Sequence, residues 1–222
     1  MARTWIFERG VLWAIELTQV PPYIEPRLPA QLGEVRAESI PALAALGASD
    51  AAALRERFAT GRRCFAARVE NEIAAYGWVS HRREYVGEHE REIRLASDEA
   101  YIWDCATTPS RRGQRLYSAL LCHINAVLYR ERVQRVWIGS GVSNRASLRG
   151  FSNAGFRPVI AVTYLRFSGW RGIWIGAQPD APRNLIAAAR RVWLNEDEHV
   201  WGPLAWRWSI SATVSKHAEF KA

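Results

Sequence analysis

The stretch Cys105-Ala106-Thr107-Thr108-Pro109-Ser110-Arg111-Arg112-Gly113-Gln114-Arg115-Leu116-Tyr117 joins a β-rich run to an amphipathic one. A helix N-terminus presents unpaired N–H groups and the positive end of the helix dipole, so it attracts phosphate. Thr108-Pro109 or Ser110 would cap this one, with proline tolerated where its missing N–H would be an orphan. Gly113 lets the backbone approach an anion closely, and Arg111, Arg112 and Arg115 offer charge-assisted donors. Arginines in a first helical turn oppose the dipole, so three of them point to an anion being served. A solvated basic helix start is the alternative.

These residues need a frame. Residues 99–107 read as a strand, and Leu116, Leu120, Ile124 and Leu128 at i, i+4 spacing give the following helix one apolar face. Residues 133–140 form the next strand, so the unit is β-α-β, with a right-handed crossover and parallel strands. Alternation places Tyr101, Trp103 and Cys105 on one face and Ile102 and Asp104 on the other, barring a bulge. A second helix opens at Ser143-Asn144, with Ser143 as N-cap, and stops at Gly155 in the C′ position. Residues 156–167 then pair with 171–176 across Ser168-Gly169. Upstream, residues 64–69 and 72–80 make a hairpin about Glu70-Asn71, with Gly77 as a bulge signal. Before it come one or two strands in 5–17 around Arg9-Gly10, a stiff proline linker over 21–29, and short helices at 39–46 and 51–58. The charged run 85–96 reads as a solvated loop or edge hairpin, and 182–194 as a helix.

The order strand, basic turn, amphipathic helix, strand, then "SNRASLRGFSNAGF" resembles the GNAT superfamily of acyl-CoA N-acyltransferases. Pro109, Arg112 and Gly113 match that family's [Q/R]-x-x-G-x-[G/A] signature, while Arg115 replaces the usual glycine and Tyr117 the last small residue. Asn144, Ser147, Gly155 and Phe156 match its second part, and the hairpin "CFAARVENEIAAYGWVS" looks like its second and third strands. The resemblance implies a mixed α/β (α+β) fold. Its central sheet is splayed and mostly antiparallel, with one parallel β-α-β pair and flanking helices. It also implies a single acyltransferase domain over 1–222, with a motif-bearing core at 62–168, an N-terminal extension at 1–38 and a tryptophan-rich extension at 177–222.

Acetyl-CoA, the implied co-substrate, would lie between the splayed strands. Its pantetheine would pair with the backbone of Cys105, Ala106 and Thr107, and its diphosphate would sit on the N–H groups of Arg112, Gly113, Gln114, Arg115, Leu116 and Tyr117. Asn144 and Ser147 would touch the pantetheine or fix the second helix. The implied reaction is direct attack of an amine on the thioester. The family's usual glutamate base falls near Tyr101, leaving Tyr101 and Asp104 as candidates. Its usual tyrosine acid falls at Phe151, so Tyr117, Tyr164 or water would protonate the leaving thiolate. Two other readings are a degenerate domain that binds CoA or a partner, and an acyltransferase for longer chains on CoA or carrier protein.

Composition narrows the partners. Lys+Arg 30 against Asp+Glu 22 gives +8, but the basicity is almost all arginine and no nucleic-acid recognition motif accompanies it. Cys64, Cys105 and Cys122 sit in apolar segments and read as reduced thiols of a cytoplasmic protein. No histidine or cysteine spacing suits a metal, and no window reads as a membrane span or signal peptide. The 11 tryptophans fit core packing, subunit packing in a homodimer, or an aromatic-walled acceptor or acyl pocket for a small-molecule amine.

Overall fold

The computed structural model describes residues 6–89, 91–167, 170–194 and 205–210. Strand β1 (Ile6–Glu16) is followed by β2 (Gln31–Val35), helices α1 (Ile40–Ala45) and α2 (Ala51–Ala59), and the hairpin β3 (Arg63–Val69) and β4 (Glu72–Ser80). A second hairpin, β5 (Arg83–Val86) and β6 (Arg91–Arg94), leads to β7 (Glu99–Thr107), α3 (Leu116–Arg130), β8 (Arg135–Gly141) and α4 (Arg145–Asn153). The chain continues through β9 (Arg157–Phe167), β10 (Trp170–Ala177), α5 (Arg183–Trp193) and β11 (Ala205–Ile210).

Nine strands form one sheet in the order β11-β10-β9-β1-β8-β7-β4-β3-β2. Only β7 and β8 pair in parallel among the described residues, as the β-α-β reading requires. The order holds one feature that local pattern does not show. The first strand of the chain lies between β8 and β9, with Gly10–Glu16 running antiparallel along the whole of β8.

Alternating side chains feed two faces. On one, Phe65, Ala75, Val79, Ile102 and Ile138 pack beneath the apolar stripe of α3 and beneath Phe151 of α4. On the other, α1 and α2 cover Cys64, Ala66 and Trp78, while α5 and the β5–β6 hairpin cover Leu12, Tyr101 and Trp137. The run 85–96 is thus a hairpin, the second of the two readings, and not a solvated loop. Ile93 is fully buried, and Glu84 lies 4% exposed, held by Arg62 through bonds of 2.7 and 3.0 Å. Charge density in the sequence concealed an inward face that alternates residue by residue.

Several boundaries also move. Of the one or two strands expected around Arg9-Gly10 there is one, over Ile6–Glu16, and β2 has no counterpart in the sequence reading. Asn144, not Ser143, caps α4, its Oδ1 accepting the Ser147 N–H at 3.2 Å. Neither Thr108-Pro109 nor Ser110 caps α3: they form a separate 3-10 turn, Pro109–Arg111, and α3 starts after Arg115. Among the described residues no helix is long and apolar enough to cross a membrane. Residues 195–204 and 211–222 of the tryptophan-rich extension, Trp201 among them, lie outside the described residues, and β11 puts Trp206 opposite Trp174.

Two glycines are there for close approach. A Cβ at Gly77 would lie 2.8 Å from the Cys105 sulfur, and one at Gly150 would lie 2.6 Å from the Tyr117 ring. Both distances are below any real carbon contact, and the atoms met belong to packed side chains. Gly150→Ala should therefore cost about 1–3 kcal/mol of stability in denaturant titration, the usual cost of overpacking. The loss should shrink in a Tyr117→Ala background, because the two sites share one contact. Additive losses would show that the ring is not what Gly150 makes room for.

Candidate active site

The parallel ladder between β7 and β8 is short. Glu99, Ala100, Tyr101 and Ile102 pair with Arg135, Val136, Trp137 and Ile138, and there it stops. Beyond it β8 stays on β1 as far as Gly141, while β7 stays on β4 as far as Thr107. The inner edges of Trp103–Thr107 and of Gly139–Gly141 thus face each other across a wedge with no ladder partner. Exposed backbone donors and acceptors at such an edge are a template for an extended, amide-bearing ligand.

A bulge sits at the mouth of this wedge. Asp104 has φ +42, and the β4–β7 register shifts between Tyr76 and Trp78. Its effect on the side chains overrides simple alternation. Asp104 joins Trp103 on the α2 face, where its carboxylate pairs with the Arg57 guanidinium. Cys105 turns to the α3 face and packs into the core there. Arg57 also lies over the Trp103 ring at 4.6 Å and the Trp78 ring at 5.1 Å. Trp103 donates its indole N–H to Ser80 Oγ at 2.8 Å, and Ser80 bonds the buried Glu84 in turn. Sequence reading did not find Arg57. It stands 47 residues from its partner, and nothing local separates it from Arg55.

Beneath the wedge, Tyr117 from the first turn of α3 reaches toward Cys105. Its hydroxyl lies beside the Cys105 thiol and the Ser147 side chain of α4. Burial, with Cys105 beside it, holds the phenol well above its usual range, so it stays protonated. Burial also pushes the Cys105 thiol up to about 12, and the thiol donates to the Trp103 carbonyl at 3.5 Å. Phe151, by contrast, is 1% exposed and packs edge-on to Trp13 with ring centroids 5.8 Å apart. Three of the sequence-derived residues, Cys105, Tyr117 and Ser147, are brought together here. Tyr101 stands apart from them, 5% exposed on the α5 face, its hydroxyl 3.4 Å from where a Gly139 Cβ would lie.

At the outer end of the wedge the turn before α3 has an unusual backbone. Gly113 at φ +78 and Arg115 at φ +60 both adopt the left-handed conformation. The sequence comparison of Arg115 with a glycine now has a physical meaning, since that position requires positive φ. For a non-glycine residue the conformation costs roughly 1–2 kcal/mol. Arg115 is also the N-cap of α3 and makes no side-chain cap bond. Among the described residues no acceptor meets the N–H groups of residues 113–118. Arg111 is neutralised by Glu70 at 2.9 Å, but Arg112 and Arg115 meet no carboxylate among the described residues. The proline linker reaches this turn: the Arg27 N–H donates to Gln114 O at 3.0 Å, a contact the sequence did not signal.

A separate cleft of about 410 Å³ opens between α1, the β3–β4 hairpin and Thr108–Arg111. Arg68, Asn71 and Ile73 line it, but Tyr101, Asp104 and Tyr117 do not.

The family model for the acetyltransferase (GNAT) family matches residues 34–156, more than half of the chain. A search of curated proteins finds no significant match. Among solved structures, a GNAT-family protein from Novosphingobium aromaticivorans superposes with a TM-score of 0.53 at 19% identity, covering 79% of this chain and 68% of its own. A GCN5-related N-acetyltransferase from Sphaerobacter thermophilus gives 0.55 at 14% identity, covering 75% of this chain and 53% of its own. A GNAT-family acetyltransferase from Colwellia psychrerythraea gives 0.52 at 12% identity, covering 74% of this chain and 56% of its own. Those identities carry the fold alone; the sequence model carries membership, and the chain belongs to the GNAT family of acetyltransferases.

Proposed function

We propose that the protein is a cytoplasmic N-acyltransferase that moves an acetyl group from acetyl-CoA to the amine of a small molecule by direct attack. The observation that carries this is the wedge: two parallel strands that separate after Ile138, with a phosphate-ready turn at its outer end. The residues present fit the donor. The open β7 edge at Cys105, Ala106 and Thr107 suits pantetheine amides. The free N–H groups of residues 113–118, rimmed by Arg112 and Arg115, suit a diphosphate.

Acetyl-CoA supplies an activated thioester. The chain must place it, stabilise charge building on its carbonyl oxygen, and protonate the departing sulfur. Backbone N–H groups at the bulge serve the second need, because donors fixed in advance need no rearrangement during reaction. Tyr117 serves the third: it sits under the strand that would hold the pantetheine and stays protonated. Asn144 and Ser147 keep α4 in register with it. Asp104 is tied to Arg57, so the amine loses its proton to water, and Tyr101 forms the wall of the wedge. A covalent route through Cys105 does not suit these surroundings, since a thiol pushed up to about 12 holds almost no thiolate at neutral pH.

Thiol release from acetyl-CoA with a panel of amines tests the reading. Gly113→Asp should abolish CoA binding measured by calorimetry. Tyr117→Phe should lower kcat by about 100-fold, the order expected for a lost general acid. With Tyr117 as the acid, the wild-type rate should hold on the alkaline side up to the ordinary tyrosine value of 10.0 and fall only above it. A rate that already falls well below that pH would assign the proton to another group. CoA binding without turnover of any amine would instead favour a non-catalytic binding domain.

Strain at the turn gives a separate test. Arg115→Gly should raise the stability of the free protein by about 1 kcal/mol, because glycine takes the left-handed conformation without strain. The same change should weaken CoA severalfold by removing one cation. Equal or tighter CoA binding would remove Arg115 from the phosphate rim.

A further inference from the structure

The wedge needs a bulge in a shape that the β7 backbone does not prefer. Asp104 holds φ +42, and such conformations persist only where the surroundings over-determine them. On the α3 face the next residue, Cys105, is fixed by the notch at Gly77 and by Tyr117. On the opposite face Asp104 is fixed by one side chain, Arg57 of α2. That guanidinium is itself immobilised by stacking on Trp103 and Trp78, and Trp103 is anchored through Ser80 to Glu84 and Arg62. The Arg57 and Asp104 side chains are 19% and 28% exposed, so the pair is sheltered on both sides.

We propose that Arg57 is a positioning residue for acyl transfer: from the far face of the sheet it holds the β7 bulge in the shape that aims the strand's backbone N–H groups into the wedge. This rests on the acyltransferase reading above. Arg57 touches neither donor nor acceptor. It acts on the reaction through Asp104, and Asp104 acts through its backbone conformation rather than as a base. Catalytic groups displaced by about 1 Å can lose about 100-fold in rate, so a relaxed bulge should be felt in kcat. The donor's phosphates and pantetheine have other contacts, so donor KM should barely move.

The experiment is steady-state kinetics with acetyl-CoA and one accepted amine on Arg57→Ala, Arg57→Lys, Asp104→Gly and the double variant Arg57→Ala/Asp104→Gly. Arg57→Ala should lower kcat by about tenfold or more with donor KM within about twofold. Arg57→Lys, which keeps the charge but not the planar stack, should recover part of it. Asp104→Gly should lose less than Arg57→Ala, since glycine adopts positive φ unaided. In the double variant, removing Arg57 should cost little more. A loss in Asp104→Gly as large as in Arg57→Ala would make the carboxylate itself a reacting group and overturn the proposal. Additive losses in the double variant, or an effect confined to donor KM, would also overturn it. If the wild type binds CoA without turnover, or binds no CoA, the acyltransferase reading fails, and amide hydrogen exchange of residues 104–106 decides the bulge separately. Exchange faster in Arg57→Ala and restored in the double variant supports the lock; unchanged exchange overturns it.

Discussion

A parallel ladder of four residue pairs, closed at one end and open at the other, is the constraint on which the molecule turns. Parallel strands in a sheet ordinarily satisfy each other's backbone groups along their length. Here each strand is claimed by a different neighbour, β8 by β1 and β7 by β4, and the two neighbours diverge. The closed end must then hold against the opening. It does so through Glu99, 1% exposed, which bonds Arg135 at 2.8 Å and Arg191 at 2.6 Å and caps the Ala96 N–H. A buried carboxylate stripped of such partners costs about 3–5 kcal/mol. Arg191 lies on α5 and Arg135 on β8, so this cluster ties the base of the wedge to the C-terminal part of the fold.

That arrangement explains why the N-terminal strand sits in the middle of the sheet. Without β1, the outer edge of β8 would have to be met by β9 directly. With it, Leu12 and Ala14 fill the α5 face while Trp13 and Ile15 pack toward Phe151 and the α3 face. The outer wall of the wedge is thereby stiffened by residues that precede the stretch matched by the family model. The inner wall, β7, keeps its freedom to bulge because Gly77 on β4 yields space to Cys105.

Much of this was legible in the sequence, and the reason is locality. The β-α-β unit, the hairpin at Glu70-Asn71 and the stop at Gly155 each depend on residues within a turn of one another. Glu70, Asn71 and Gly155 show it directly, all with positive φ. The unusual turn before α3 was legible because charge opposing a helix dipole is a local contradiction. The insertion of β1, the strand β2 and the Arg57–Asp104 pair were not legible, since each is decided by contacts across the sheet. Gly150 stood between the two cases. A glycine inside a helical pattern is a signal of close approach, but only the fold identifies the Tyr117 ring as what approaches.

That ring also bears on what the substitution at Phe151 means. A phenylalanine where the family usually carries its tyrosine reads in isolation as a lost acid. In the fold, α3 and α4 cross beneath the same wedge, so a hydroxyl can be delivered from either helix. Phe151 has gone into the core against Trp13 and Phe156, and its ring leaves no polar atom to satisfy there. Tyr117 enters from α3 through the gap at Gly150, with its centroid 6.3 Å from that of Phe151. Its hydroxyl ends between Cys105 and Ser147, so a buried polar group that would otherwise be costly has polar neighbours. An aromatic core residue on α4, a glycine beside it and a tyrosine on α3 make sense only together. Any one of them alone would look like decay.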